Sequence, residues 1–198
     1  MAGETAYETI LGLQQSGVQA CAKHWINNEQ EYGREQSTSQ VDDRTQHEVY
    51  AYPFLRSVMA GVASIMCSYS ERFMRTRAII NTLTPLDLIN NTYSCENDKL
   101  MNDILKREFG FQGRRSCIRI MAVEYYQRHC AEIMSDWAAT ESTISAITGL
   151  DMTMPGDITF DSGESYFGGN LTAYVNNGTI PEARVDDMAI RCVFQGTR

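Results

Sequence analysis

The chain has 198 residues, of which 43% are apolar, enough to bury the core of one large domain. Its net charge of −8 argues against nucleic acid or an anionic membrane surface as a partner, because both would repel an acidic protein. The sequence has no apolar run of about 18 residues, and its first five residues have neither a basic start nor an apolar stretch. We therefore expect no membrane span and no signal peptide in this chain, and a neutral or cationic ligand.

The first helix and strand are predicted at the start of the chain. Residues 4–16 carry apolar side chains at helical spacing, and Gly17 ends this helix before the apolar run 18–22, which predicts a strand. The polar cluster 23–31 follows, where we expect a loop at the carboxyl end of that strand. Trp25 offers this cluster an apolar surface for a ligand; the alternative is a solvated loop with a half-buried tryptophan.

The same unit is predicted a second time. Asp42 or Asp43 can cap a helix over 44–60, and Pro53 either kinks that helix or marks a start point within it. The buried run 62–67 then predicts the second strand.

A third unit is interrupted. A helix is predicted over 99–109, but the strand that ends at Met134-Ser135-Asp136-Trp137 does not follow directly, because residues 114–133 lie between them. A short helix over 142–148 and a fourth strand over 149–157, ending in a turn, complete the pattern. The last two predicted helices cover 171–176 and 182–192.

Strands that alternate with helices at this spacing indicate βα units and a parallel sheet. Four such units amount to half of an eight-stranded barrel, so the predicted fold class is α/β. A half-barrel has open sheet edges, which makes it unstable or adhesive on its own.

Asp136 is the candidate nucleophile of the chain. A short apolar run ends in its carboxylate with the indole of Trp137 beside it, which is how a barrel strand presents a catalytic acid at the mouth of the barrel. The alternative is that Asp136 is a turn former or a helix N-cap.

The six cysteines form no CxxC pair and do not cluster with the three histidines, so the sequence predicts no zinc site. In an oxidising compartment two or more of them can form disulfides; Cys67 with Cys95 is one candidate pair, and the pairing stays open. Three Asn-x-Thr triplets, beginning at Asn90, Asn170 and Asn177, are glycosylation acceptors if the protein enters a secretory pathway.

Four motifs, taken together and in order, resemble the family 3 glycoside hydrolases, and look most like secreted fungal β-glucosidases. The family pattern is KHF or KHW followed by NEQE, then MCSYN, GFQGFVMSDW and GLDMSMPGD. The matching stretches here are Lys23-His24-Trp25, Met66-Cys67-Ser68-Tyr69, Met134-Ser135-Asp136-Trp137 and Gly149-Leu150-Asp151-Met152. The resemblance implies the second half of a (β/α)8 TIM-like barrel over residues 1–181, followed by an exit helix and a divergent tail over 182–198.

The resemblance also implies a site and a reaction. Asp136 falls on the catalytic nucleophile of a retaining β-glucosidase, which hydrolyses terminal β-D-glucosyl residues through a covalent glycosyl-Asp intermediate. The residues that fall on positions contacting or lining the glucose subsite are Lys23, His24, Met66, Tyr69 and Trp137. A cationic Lys23 close to Asp136 would keep its carboxylate ionised. The implied partner is a β-glucoside or oligosaccharide, with no cofactor, and the full-length family is extracellular.

The chain also departs from the family pattern. The acid/base glutamate of the family comes from a second domain downstream of the barrel, and no residue here matches it; the first half of the barrel is missing too. Two insertions, over about 71–89 and 114–133, have no family counterpart. They hold seven of the 17 basic residues but only four of the 25 acidic ones, so their net charge is +3 against −11 for the rest.

Two origins stay open for these insertions: introns that were retained and translated in frame, or genuine surface insertions. The second insertion is expected to cost the strand ahead of Asp136 its first two residues. Three functions stay open as well: a catalytically incomplete β-glucosidase fragment, a carbohydrate-binding remnant without hydrolysis, and the product of a mis-spliced gene model that does not fold.

Overall fold

The computed structural model describes residues 1–32, 39–69, 92–111 and 131–194. Within these ranges the fold is α/β with a small parallel sheet. Its strands are β1 (Cys21–Trp25), β2 (Ser64–Cys67) and β3 (Glu132–Ser135), hydrogen-bonded in the order β1-β2-β3. The parallel sheet is as predicted. The insertion 71–89 and residues 114–130 of the second insertion lie outside the described residues.

β1 begins three residues later than the sequence predicted. Gly17 adopts a positive φ of 87°, and the backbone N–H of Val18 donates to the carbonyl of Leu13 at 3.2 Å. The end of the first helix therefore uses the backbone of Val18, and the strand begins only at Cys21. As a consequence Lys23, His24 and Trp25 belong to the strand and not to a loop.

β3 is complete, and the expectation that it lacks its first two residues is wrong. Glu132 and Ile133 pair in register with Ser64 and Ile65 of β2, and Ser135 pairs with Cys67. The last residues of the predicted insertion thus supply the start of the strand: their backbones pair with β2, and the side chain of Ile133 is buried in the core.

The predicted fourth strand is reduced to one parallel bridge, between Met134 and Met152. The N–H of Ser135 donates to the carbonyl of Met152 at 3.0 Å, and the N–H of Ala138 donates to that of Met154 at 2.8 Å. Pro155 follows and has no N–H to donate, so the pairing stops there.

Two helical stretches precede β2 and pack against each other. The first is α1 (Ala2–Gln15), and the second runs through α2 (Asp43–Thr45), a π-helical turn (Gln46–Ala51) and α3 (Tyr52–Met59). As predicted, Asp42 caps the second stretch, with its carboxylate accepting from the N–H of Thr45 at 3.0 Å. Pro53 lies in the first turn of α3, the position that tolerates its missing N–H.

The remaining helices are shorter, apart from the last one. In chain order they are Ser94–Glu96, Lys99–Glu108, Ser145–Thr148, Gly169–Asn176 and Glu182–Phe194. The last helix begins at the predicted boundary and includes Val193 and Phe194, which the sequence had assigned to a divergent tail.

Trp25 is at the centre of the core, which corrects its assignment as a ligand surface or a half-buried loop residue. Its side chain is completely buried and packs edge-on against the rings of Phe54 at 5.0 Å and Phe109 at 6.1 Å. A strand tryptophan that is completely buried against these two rings cannot contact a sugar.

A disulfide joins Cys67, the last residue of β2, to Cys95 in the short helix Ser94–Glu96. Both side chains are fully buried. This is the candidate pair from the sequence, and it ties the carboxyl end of β2 to a segment 28 residues away.

The buried carboxylate of Asp151, next to the bridge residue Met152, binds both β3 and the last helix. Asp151 accepts from the N–H of Ile133 at 2.8 Å and from Nη2 of Arg184 at 2.7 Å, and Nζ of Lys106 lies 3.5 Å away. Burial by itself raises the pKa of Asp151, but these cations and Arg191 outweigh it and hold that pKa below its usual value.

In the described part of the chain, no helix has the length and apolar character to cross a membrane.

Candidate active site

The carboxyl ends of the strands meet at one edge of the sheet, and Asp136 lies there. It follows β3 directly, is 9% exposed, and donates its backbone N–H to the carbonyl of Cys67 at 3.3 Å. The position of its carboxylate is therefore set by two neighbouring strands. A carboxylate at the carboxyl end of a parallel strand is where barrel enzymes place catalytic groups.

His24 is the basic group in contact with Asp136. Its Nε2 lies 3.1 Å from Oδ2 of Asp136, with the histidine side chain 22% exposed and the aspartate side chain 12% exposed. The contact depends on an irregularity in β1: Lys23 pairs with Met66 and Trp25 with Cys67, which leaves His24 as the extra residue of a bulge. A bulge re-aims the side chain of the extra residue, and here it brings the imidazole to the carboxylate.

Lys23, in contrast, is exposed and makes no ion pair with Asp136 in the part of the chain that the structure describes. The cation expected beside Asp136 is thus supplied by His24 when that ring is protonated. Lys23 remains near the site as the residue before His24 in β1, with its backbone opposite Met66.

The other predicted residues of the site also lie at the carboxyl ends of the strands. Met66 is 8% exposed within β2, and Tyr69 is half-buried and packs against the main core. Trp137 is 45% exposed and follows Asp136 directly. Ala138, at φ 63°, turns the chain sharply after it, and the N–H of Ala139 donates to the carbonyl of Asp136 at 3.1 Å. The indole is therefore available to a ligand beside the carboxylate.

Glu132 is the other unusual carboxyl group of β3, and it cannot be the catalytic partner of Asp136. Burial raises the pKa of Glu132 to about 7, a value that suits a general acid. Four residues along a strand correspond to about 13 Å, however, and a retaining glycosidase needs its two carboxyl groups about 5 Å apart. Glu132 lies at the amino end of β3, opposite Ser64.

One support of the site carried no clear sequence signal. Glu96 Oε1 accepts from the hydroxyls of Ser142 and Ser145, at 2.7 and 2.9 Å, and so anchors the loop that follows Trp137. The bulge at His24 also had no local signal. No cluster of three or more metal-binding side chains exists within the described ranges.

Comparison with known proteins identifies a family for nearly the whole chain. Residues 1–194 match the family model described as the glycosyl hydrolase family 3 N terminal domain. A probable β-glucosidase A of Aspergillus flavus is 45% identical over 198 residues, which is 93% of this chain and 19% of that protein. The chain thus spans about a fifth of the length of the curated relatives that it matches.

Solved structures agree with this match. A β-D-glucoside glucohydrolase from Trichoderma reesei superposes with a TM-score of 0.74 at 39% identity, covering 96% of this chain and 22% of that one. A β-glucosidase from Streptomyces venezuelae, solved in complex with D-glucose, superposes with a TM-score of 0.72 at 33% identity, covering 96% of this chain and 21% of that one.

Proposed function

Because the chain belongs to glycosyl hydrolase family 3, we propose that it carries the nucleophile and part of the glucose subsite of a retaining β-glucosidase. The observation that carries the proposal is the contact of 3.1 Å between His24 Nε2 and Asp136 Oδ2 at the carboxyl edge of the sheet. It gives a nearly buried carboxylate a fixed orientation, which nucleophilic attack on a sugar carbon requires.

In this proposal Asp136 attacks the anomeric carbon of a terminal β-D-glucosyl residue. The glycosidic bond breaks, the aglycone leaves with a proton from an acid, and water then hydrolyses the glycosyl-Asp intermediate. His24 acts by holding one carboxylate oxygen, so that the attacking oxygen does not have to be oriented in the transition state. The residues proposed to contact or line the glucose are Lys23, His24, Met66, Tyr69 and Trp137.

We further propose that the chain by itself is incomplete as a catalyst. It spans about a fifth of its relatives, and the family resemblance assigns the acid/base glutamate to a downstream domain. Among the described carboxyl groups Glu132 is the one with a pKa raised to about 7, and it lies at the other end of β3. An aglycone that must be protonated to leave will therefore depart extremely slowly, whereas one that leaves as a stable anion needs no acid.

A mechanism-based label tests the nucleophile and the missing acid separately. The purified chain is incubated with 2,4-dinitrophenyl 2-deoxy-2-fluoro-β-D-glucoside, whose leaving group departs unprotonated and whose fluorine slows the second step. We expect one equivalent of dinitrophenolate and one fluoroglucosyl group on the peptide that contains Asp136. Asp136→Asn should abolish the label, and Asp186→Asn, a change of an exposed aspartate in the last helix, should retain it.

Two results would contradict the proposal. A label on another residue, or none, would remove Asp136 as the nucleophile. Hydrolysis of cellobiose at rates typical of enzymes, about 1–1000 per second, would show that the chain contains its own acid and is complete.

A second function is binding of carbohydrate without hydrolysis, and the exposure of Trp137 favours it. An indole that is 45% exposed beside a polar carboxylate provides the apolar surface on which sugar rings stack. Calorimetry with glucose at millimolar concentration tests this function. Heat of binding that is lost in Trp137→Ala, together with no fluoroglucosyl label, would favour binding alone.

The proposed location is extracellular. The Cys67–Cys95 disulfide supports it, because disulfides form and persist in oxidising compartments. Mass spectrometry of the protein from its natural source, alkylated before reduction, tests this: a free Cys67 thiol would contradict it.

A further inference from the structure

Two buried serines lie at the carboxyl edge of the sheet, where His24 and Asp136 meet. Ser68 follows β2 directly, Ser94 begins the short helix Ser94–Glu96, and both side chains are fully buried. Their hydroxyl oxygens are 2.9 Å apart, at hydrogen-bond distance. A buried hydroxyl is costly unless it is hydrogen-bonded, so the partners of this serine pair show what the two hydroxyls hold in place.

The serine pair binds both polar groups of one peptide unit. Oγ of Ser94 donates to the carbonyl of Trp25 at 3.0 Å, and the N–H of Ile26, in the same peptide unit, donates to Oγ of Ser68 at 3.1 Å. The backbone N–H of Ser68 also donates to the carbonyl of Trp25, at 2.6 Å. The hydroxyl proton of Ser68 has two acceptors within reach, Oγ of Ser94 and the carbonyl of Ile26 at 3.0 Å. The orientation of this peptide unit is therefore fixed from both sides.

The fixed peptide unit comes directly after the bulge that carries His24. Trp25, the next residue, has its side chain buried in the core and its carbonyl bound by the serine pair. Because the chain is held at Trp25, the bulge has a fixed position on β2. Nε2 of His24 is thereby kept 3.1 Å from Oδ2 of Asp136.

The end of β2 connects the serine pair to the carboxylate as well. The carbonyl of Cys67, the residue before Ser68, accepts from the backbone N–H of Asp136 at 3.3 Å. Cys95, the residue after Ser94, forms the disulfide with Cys67. The disulfide thus joins the two neighbours of the serine pair and keeps the two hydroxyls close together. Both the imidazole and the carboxylate of the site depend on this one cross-linked segment.

We propose that Ser68 and Ser94 are positioning residues for Asp136, an inference that rests on its proposed role as the nucleophile. The serine pair fixes the peptide unit after the bulge, that unit aims the imidazole of His24 at the carboxylate, and the adjacent disulfide keeps the pair in contact. Loss of either hydroxyl lets the carboxylate reorient but leaves the other groups of the glucose subsite in place. It therefore slows attack more than it weakens binding.

The kinetics of labelling by the dinitrophenyl fluoroglucoside separate attack from binding. In Ser94→Ala the first-order constant at saturating label should fall roughly tenfold or more, whereas the label concentration for half-maximal rate should change by less than about threefold. Ser68→Ala should give the same pattern. The double variant should be no slower than the slower single variant, because the two hydroxyls act as one unit.

Ser57→Ala is the matched control for the loss of a buried hydroxyl. Oγ of Ser57, 2% exposed, donates to the carbonyl of Pro53 at 2.9 Å, and the carbonyl of Ser57 accepts from Val62, close to the amino end of β2. This change removes a hydrogen bond of the same kind far from the carboxyl edge, so it should leave the first-order constant unchanged. An equal loss in Ser57→Ala and Ser94→Ala, or no loss in Ser94→Ala, would overturn the proposal.

Nuclear magnetic resonance of the His24 ring tests the contact without the label. Asp136→Asn should shift the imidazole resonances of His24 in the wild-type background and shift them much less in Ser94→Ala, because the ring is then no longer held at residue 136. Equal shifts in both backgrounds would overturn the proposal. A wild-type chain that takes no label but shows this difference would remove the proposed nucleophile, while the serine pair would still be shown to aim His24.

Mild reduction of the wild-type chain provides the test if the alanine variants do not fold. It leaves both serine hydroxyls in place and removes the covalent bond between Cys67 and Cys95. At a phosphine concentration at which circular dichroism shows the fold intact, the first-order constant should fall, and reoxidation should restore it. A constant that does not change on reduction would overturn the proposal.

Discussion

Loss of the Cys67–Cys95 disulfide should lower the free energy of unfolding by about 3.6 kcal/mol. The bond joins residues 28 apart, and closing a loop of that length removes about 12 cal/mol/K of chain entropy from the unfolded state. At 25 °C this corresponds to the stated figure. For a chain of this size the midpoint of thermal unfolding should fall by roughly 7–14 °C.

Urea unfolding of the wild-type chain, with and without a phosphine reductant, measures this effect. The reductant leaves both side chains in place, so the fully buried pair loses its covalent link without creating a cavity. We also expect a larger dependence of the unfolding free energy on urea in the reduced series, because an uncrosslinked unfolded chain exposes more surface.

Two double variants serve as controls. Cys67→Ala with Cys95→Ala should be insensitive to the reductant, and any remaining sensitivity would come from other cysteines. Cys21→Ala with Cys192→Ala removes the two described free thiols and should keep the full difference. A difference below about 1 kcal/mol in the wild type, or one that persists without Cys67 and Cys95, would refute the entropic reasoning.

Three further changes give distinct results in the same unfolding assay. A hydrogen bond with the backbone carbonyl of Asp43 raises the pKa of His47. Protonated His47 therefore stabilises the fold fully below about pH 6.5, and this stabilisation is lost as the pH rises through the folded-state pKa. His47→Gln should flatten this part of the stability profile, and an unchanged profile would contradict the assignment. Burial raises the pKa of Glu132 from 4.5 to about 7, so stability should increase as the pH falls between these values, and Glu132→Gln should abolish the increase. Arg184→Ala should cost about 3–5 kcal/mol, because it leaves the buried carboxylate of Asp151 without its closest cation; a cost below about 1 kcal/mol would show that Lys106 suffices.

The order of elements and the edge of the sheet where the candidate residues lie could be predicted from sequence, because both depend on local patterns. Helix caps such as Asp42 act on backbone groups within one turn, and short apolar runs indicate strands wherever they occur. Once the strands are parallel, the residues after each run must meet at one edge, which is why the sequence alone is enough to place Asp136 at the same edge as the residues that follow Cys67.

The contacts within the site depend on pairing between distant segments. Lys23 and His24 are neighbours in a polar motif, and only the register of β1 on β2 determines that His24 is the extra residue of a bulge and faces Asp136. The sequence is compatible with Trp25 as a ligand surface or as a core residue, and its packing against Phe54 and Phe109 identifies it as a core residue.

The sequence by itself determined the family and the nucleophile candidate, since both depend on residue identity and on the order of the motifs. Tertiary structure decided which base contacts the carboxylate, that Glu132 and Ile133 begin β3, and that Cys67 pairs with Cys95. The reason is the same in each case: strand register, burial and turn geometry are set by partners far apart in the chain, and residue identity does not specify those partners.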